Sequence, residues 1–199
     1  MKRIICHGDS LTEGDEIEQN FTWPALLGNR LNVEVRNTGI GGDTSGGLLG
    51  RFYPDVVQQK PDAVLIMGGT NDLWWDLEIN PILANLFAMA CQAEYHRIAP
   101  VIGLPIPVCL EKAEKTPMMA PVNGFDRCQE KLTGMRGALK RACEQSEVPL
   151  VDFFSLFMDE KDGVIADYYL EDGLHPNLEG HRLMARKAAR LMKAVFKVP

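Results

Sequence analysis

Four short stretches of this 199-residue chain combine residue types that can do chemistry. The first is His7-Gly8-Asp9-Ser10-Leu11-Thr12-Glu13-Gly14, directly after the apolar run Arg3–Cys6. A serine just past the carboxyl end of a strand stands where sites form in open parallel sheets. A helix N-cap is the plainer account of a lone Asp-Ser pair. The G-x-S-x-G elbow is absent, because Thr12 occupies its second glycine position and, at Ser45, Asp43 replaces the first. The second stretch is Asn37-Thr38-Gly39-Ile40-Gly41-Gly42-Asp43-Thr44. It matches neither the dinucleotide fingerprint nor a P-loop. Such a glycine turn suits an anion or a developing oxyanion, or is a plain tight turn. The third is Gly68-Gly69-Thr70-Asn71-Asp72. A carboxamide there can donate a hydrogen bond into a site without adding charge, or can close an Asx-turn. The fourth is Asp172-Gly173-Leu174-His175-Pro176-Asn177. Aspartate and histidine three residues apart can meet within one turn. The carboxylate then fixes the ring tautomer and leaves the other nitrogen free to deprotonate a serine.

The inventory around these stretches narrows the chemistry. There are four serines (10, 45, 146, 155) and four histidines (7, 96, 175, 181), so few serine–histidine pairs exist. Asp-x-x-His could also ligate a metal, but no further ligand cluster accompanies it, and no metal or cofactor is expected. The five cysteines (6, 91, 109, 128, 143) are odd in number and lack a C-x-x-C pair, which excludes a full disulfide framework and fits reduced, mostly buried thiols. Cys6 and His7 point to opposite faces of a strand and cannot cooperate directly. A net charge of −6 is a poor match for nucleic acid or an anionic bilayer. The longest apolar stretch, Pro81–Ala93, is broken by Asn85 and Gln92 and falls short of the roughly 18 residues needed to span a bilayer. The run at the start is too short for a signal-peptide core. A cytoplasmic location without stable membrane insertion is the expectation.

Periodicity supplies the elements that must hold these stretches. Strands are expected at Arg3–Cys6, around Val33 and Val35, at Ala63–Met67 (apolar throughout, as when both faces are covered), at Val101–Leu104 and at Leu150–Phe153. Helices are expected over Thr22–Leu31 and on the stripes Leu48–Val57 (capped by Asp43 or Thr44), Ile82–Ala90, Phe125–Ala142 and Leu178–Val195. This alternation implies one α/β domain over residues 1–199, with a parallel sheet covered on both faces. Residues 105–124 carry four prolines and no period. They read as a long loop serving as a lid or an interface.

Taken together and in order, GDSLTEG, GIGGDTS, GGTND and DGLHP resemble blocks I, II, III and V of the SGNH (GDSL-type) serine hydrolase superfamily, with the match running from residue 8 to residue 181. The resemblance implies a three-layer α/β/α fold around a flavodoxin-like five-stranded parallel sheet. It implies Ser10 as nucleophile, His175 as base and Asp172 as its orienting partner. It implies an oxyanion hole made by the amides of Ser10 and Gly42 and the side chain of Asn71. The activity implied is hydrolysis of carboxylic esters of small or medium acyl groups through an acyl-enzyme. Carbohydrate acetylesterase, lysophospholipase and thioesterase are all compatible, and an acyltransferase using an alcohol acceptor is the alternative. Trp74, Trp75, Met118, Met119 and Tyr169 are the candidate substrate-binding residues, with core packing the competing reading for both tryptophans. His7, His96, His181 and Trp23 are expected to be structural, and Asp9 and Asp72 to bind loop backbones. A small ester is the expected partner, and a homo-oligomer is compatible with the apolar loop.

Overall fold

The computed structural model describes residues 2–116 and 119–196. Five parallel strands, β1 (Arg3–Gly8), β2 (Glu34–Gly39), β3 (Ala63–Met67), β4 (Ala99–Leu104) and β5 (Leu150–Asp152), form one sheet in the order β2-β1-β3-β4-β5. The chain first steps outward from β1 to β2, then returns past β1 to β3. The strand order therefore reverses between β1 and β3, and the carboxyl ends of those two strands flank the switch point where ligands bind in such sheets.

Helices cover both faces. On one side lie α3 (Ser45–Asp55), α5 (Ile79–Tyr95) and α7 (Phe125–Ser146); on the other lie α2 (Trp23–Leu31) and α8 (Leu178–Phe196). Strand β3 shows why its residues are all apolar: Val64 and Ile66 enter the first core, while Ala63, Leu65 and Met67 enter the second. Helix α8 buries Met184, Ala185, Ala188, Ala189 and Met192 and leaves Arg182, Arg186, Arg190 and Lys193 exposed, the helical period expected of its sequence. Short helices α1 (Ser10–Glu13), α4 (Thr70–Trp74) and α6 (Leu110–Ala113) lie between them. Among the described residues no helix is long and apolar enough to cross a membrane.

The 105–124 segment departs from a free loop. Ile106, Val108, Cys109 and Ala113 are buried, and α6 sits within it. Cys109 donates its N–H to Gly173 at 2.8 Å, Lys112 Nζ donates to the Tyr169 carbonyl at 3.1 Å and Thr116 Oγ1 to the Glu171 carbonyl at 2.8 Å. The apolar residues between the prolines bury themselves, so this half packs as a wall beside the Asp172–His175 turn. Further on, Met119 and Val122 are exposed and strap across Trp74, whose Nε1 donates to the Met119 carbonyl and whose carbonyl accepts from Val122.

Candidate active site

Ser10 opens α1, two residues beyond the end of β1. The turn is tight: a Cβ on Gly8 would lie 2.2 Å from Thr12 Oγ1 and 2.6 Å from the Met67 carbonyl oxygen, so only glycine fits. Asp9 is the N-cap, its Oδ1 accepting the Leu11 N–H at 3.0 Å. The far end of α1 is held by Asn37, whose Nδ2 donates to the carbonyls of Thr12 and Glu13 at 2.8 and 3.2 Å.

The Asp172 turn brings the histidine to this serine. Asp172 Oδ1 accepts the backbone N–H groups of Leu174 and His175 at 2.9 and 3.0 Å, while Oδ2 meets His175 Nδ1 at 2.5 Å. His175 Nε2 lies 2.9 Å from Ser10 Oγ. A carboxylate only accepts, so the proton sits on Nδ1 and Nε2 presents its lone pair to the serine hydroxyl. Two residues on, Asn177 caps α8 by accepting from the N–H groups of Glu179 and Gly180, which ties the turn to a long helix.

The electrostatics suit a base with an orienting anion. Burial opposes ionisation of Asp172, yet hydrogen bonds from the His175 ring and from the His175 and Leu174 amides outweigh it and hold the carboxyl below its ordinary value. Burial also disfavours the His175 imidazolium, but Asp172, then Asp15 and Asp9, more than offset this and raise its pKa. Asp15 Oδ2 stands 3.9 Å from Nε2. Asp9 is buried, and that burial pushes its pKa up to about 7.

Gly42 and Asn71 converge on the same edge. Gly42 adopts φ +75°, a left-handed conformation that glycine enters freely. Neither its N–H nor that of Ser10 has an acceptor among the described residues. Asn71, on α4, donates one Nδ2 proton to the Asp43 carbonyl at 2.8 Å, which orients the carboxamide and leaves its second proton available. Asp72 joins α4 to α3 by accepting from the backbone N–H and hydroxyl of Ser45 at 2.7 and 2.6 Å. Thr44, rather than Asp43, caps α3, its Oγ1 accepting from Gly47. Together these groups can activate a hydroxyl and surround a developing oxyanion.

An open cleft of about 310 Å³ adjoins the site, lined by Gly42, Asn71, Trp74, Trp75, Met119 and Leu174. Trp75 is 52% exposed, whereas Trp74 is largely packed, edge-on to Phe125. Tyr169 does not line the cleft: it is buried in the α8-side core, and its hydroxyl donates to the Pro107 carbonyl at 2.7 Å. The reason is that the chain around Tyr169 bridges back to His175, Leu170 N–H donating to the His175 carbonyl, so the ring turns inward. Met118 lies outside the described residues.

Histidines 7 and 181 are buried within the framework, the latter accepting the Trp23 N–H at Nδ1. Two residues near the site gave no local signal in the sequence. Asp15 stands beside the histidine through a turn, and Arg51 reaches the site from α3, eight residues beyond the acidic group it pairs with, Asp43. Among the described residues no group of three or more side chains could hold a metal ion.

Comparison with known proteins bears on the family and the fold. The profile of the GDSL-like Lipase/Acylhydrolase family matches residues 6–183. The esterase TesA of Pseudomonas aeruginosa is 30% identical over 88% of this chain and 80% of its own. The acetylxylan esterase of Geobacillus stearothermophilus is 28% identical over 80% of this chain and 72% of its own. A solved G-D-S-L family structure from Desulfitobacterium hafniense superposes with a TM-score of 0.81 at 26% identity, covering 96% of this chain and 99% of that one. The chain belongs to the GDSL-like lipase/acylhydrolase family, and its reaction class is carboxylic ester hydrolysis.

Proposed function

We propose that the protein cleaves esters of small or medium acyl groups through a Ser10 acyl-enzyme. His175 Nε2 takes the hydroxyl proton as Ser10 Oγ attacks the ester carbonyl. The amides of Ser10 and Gly42 and the free proton of Asn71 bind the oxyanion, and Asp172 stabilises the imidazolium. The imidazolium then protonates the leaving alcohol. Water, deprotonated by the same nitrogen, attacks the acyl-enzyme, and collapse of the second tetrahedral intermediate frees the acid and returns the proton to Ser10. The observation that carries this reading is the continuous chain Ser10 Oγ–His175–Asp172, at 2.9 and 2.5 Å, at the sheet's switch point.

The cleft supports a compact acyl group, and exposed Trp75 offers a face on which a sugar ring can stack. The named substrate of the acetylxylan esterase makes acetylated sugars the first class to try. Steady-state hydrolysis of p-nitrophenyl acetate, beside Ser10→Ala, tests the reading. Turnover should fall by about 10³-fold or more in the variant. Equal turnover by both proteins would exclude Ser10 as nucleophile. A panel of acetylated sugars and longer p-nitrophenyl esters then ranks the acyl and alcohol preferences.

A further inference from the structure

The three oxyanion donors ride on three separate segments: Ser10 at the head of α1, Gly42 in the turn after β2, and Asn71 on α4. Holding three such donors to about 0.5 Å of a productive arrangement needs something that spans those segments. Arg51 is the side chain placed to do so. Its side chain is 17% exposed, and its guanidinium donates from Nε to Asp43 Oδ2 at 2.7 Å, from Nη1 to the Thr38 carbonyl at 2.7 Å and to Asp55 Oδ2 at 2.8 Å, and from Nη2 to the Gly8 carbonyl at 2.9 Å.

Each acceptor lies close to a donor of the site. Gly8 ends β1, two residues before Ser10. Thr38 lies at the end of β2, where the chain enters the glycine turn. Asp43 follows Gly42 directly, and its own carbonyl is the acceptor that orients Asn71 at 2.8 Å. One planar cation therefore ties together the approach to Ser10, the strand before Gly42, and the residue that touches both Gly42 and Asn71. The seat beneath it is uncharged. His7 Nε2 faces the Leu48 carbonyl at 3.0 Å, which can only accept, so its proton sits there. Nδ1 is then an acceptor, turned to the Thr38 hydroxyl at 3.0 Å and Arg51 Nη1 at 3.4 Å.

If Arg51 served only to anchor α3, its ion pair with Asp55 one turn along the helix would suffice. The two strand-end carbonyls and Asp43 are what that reading leaves over. We propose that Arg51 is a positioning residue for ester hydrolysis, setting the spacing among the Ser10 and Gly42 amides and the Asn71 carboxamide without touching substrate. The inference rests on the Ser10 mechanism above. A misplacement of about 1 Å in such a site costs on the order of 10²-fold in rate. Lysine cannot replace this fork, because one ammonium lacks the planar spread that reaches two carbonyls and two carboxylates.

The test compares Arg51→Lys, Arg51→Ala and Asp55→Asn with wild type on p-nitrophenyl acetate, alongside thermal melting and the rate of fluorophosphonate attachment. Arg51→Lys should lose about 10²-fold in kcat with KM within about threefold. Phosphonylation should slow in parallel, since it draws on the same donors. Methylguanidinium at millimolar concentration should restore at least about tenfold of the kcat lost in Arg51→Ala and do nothing for Arg51→Lys. Asp55→Asn, which neutralises only the ion pair along α3, should keep kcat within about threefold. The proposal is overturned if Arg51→Lys keeps wild-type kcat, if its loss falls on KM, or if Asp55→Asn loses as much. An Arg51→Ala protein that melts below the assay temperature leaves Arg51→Lys to decide, on the same criteria. Should wild type show no Ser10-dependent turnover, the hydrolytic mechanism fails first; if that turnover is present and Arg51→Lys retains it, Arg51 alone is excluded.

Discussion

At the residue scale the proposed mechanism places the chemistry on His175, and its surroundings set how activity should depend on pH. Asp172 and Asp15 hold its pKa above the ordinary histidine value of 6.5, so the acid limb of kcat/KM should begin above that pH. In Asp172→Asn the stabilising charge is gone and the wrong tautomer is favoured. The limb should move to lower pH, and kcat should fall on the order of 10⁴-fold. A pH–rate profile of both proteins checks this; an unmoved limb would mean that another group titrates. Asn71→Ala removes one of the three proposed oxyanion donors and should cost about 10²–10³-fold in kcat, read from steady-state kinetics. These residues were legible in sequence because each sits in a short local motif. Tyr169 was misread for the opposite reason: its neighbours in sequence place it near the site, but its neighbours in space turn the ring into the core. Arg51 and Asp15 were invisible as site residues, since a lone arginine on a helix and an acid in a turn gain meaning only from what the fold brings against them.

The tight joints between elements explain why the small residues stand where they do. Gly8→Ala would drive a methyl group against Thr12 and the Met67 carbonyl, and backbone must shift to relieve it. A loss of roughly 2–3 kcal/mol is expected by urea denaturation. Asp9 joins β1 to α1 in a different way. Its carboxyl is buried and holds its proton to about pH 7, whereas the unfolded chain releases it near 3.8. The folded state therefore binds more protons in that window, and stability falls as pH rises from 3.8 to 7. Asparagine keeps the cap and carries no charge to bury. Asp9→Asn should thus be flatter than wild type across this range and more stable at pH 8, while Asp9→Ala should lose about 1 kcal/mol of cap. Identical slopes for Asp9→Asn and wild type, measured by urea melts, would show that Asp9 ionises normally. The strands and long helices were readable from period alone, because β3 is apolar on both faces and α8 repeats every three to four residues. The short helices α1, α4 and α6 were not, since four or five residues give no period. The proline-rich segment also hid a buried half, because Ile106, Val108 and Cys109 are spaced by chain path rather than by regular structure.

The acid response of the whole molecule is governed by two buried histidines that the proposed reaction does not use. His7 and His181 are buried on opposite sides of the sheet, and that burial lowers both from 6.5 to about 4. The unfolded chain takes up these protons first as pH falls. Stability is therefore full above pH 6.5 and is lost through the window down to about 4, each histidine contributing on the order of 3 kcal/mol. His175, raised rather than lowered, and Asp9 act in the opposite sense over parts of this range. Denaturation at pH 7 and pH 4.5 should show the net loss, and His7→Gln or His181→Gln should each flatten the difference. The framework that these histidines occupy exists to hold Ser10 and His175, 165 positions apart in sequence, at 2.9 Å.

Covalent trapping reads that contact most directly. Fluorophosphonate-treated protein, digested and analysed by mass spectrometry, should carry a single adduct on the peptide containing Ser10. Attachment should be absent in Ser10→Ala and strongly slowed in His175→Ala. An adduct on the peptide of Ser45, Ser146 or Ser155, or unchanged labelling in Ser10→Ala, would contradict the mechanism.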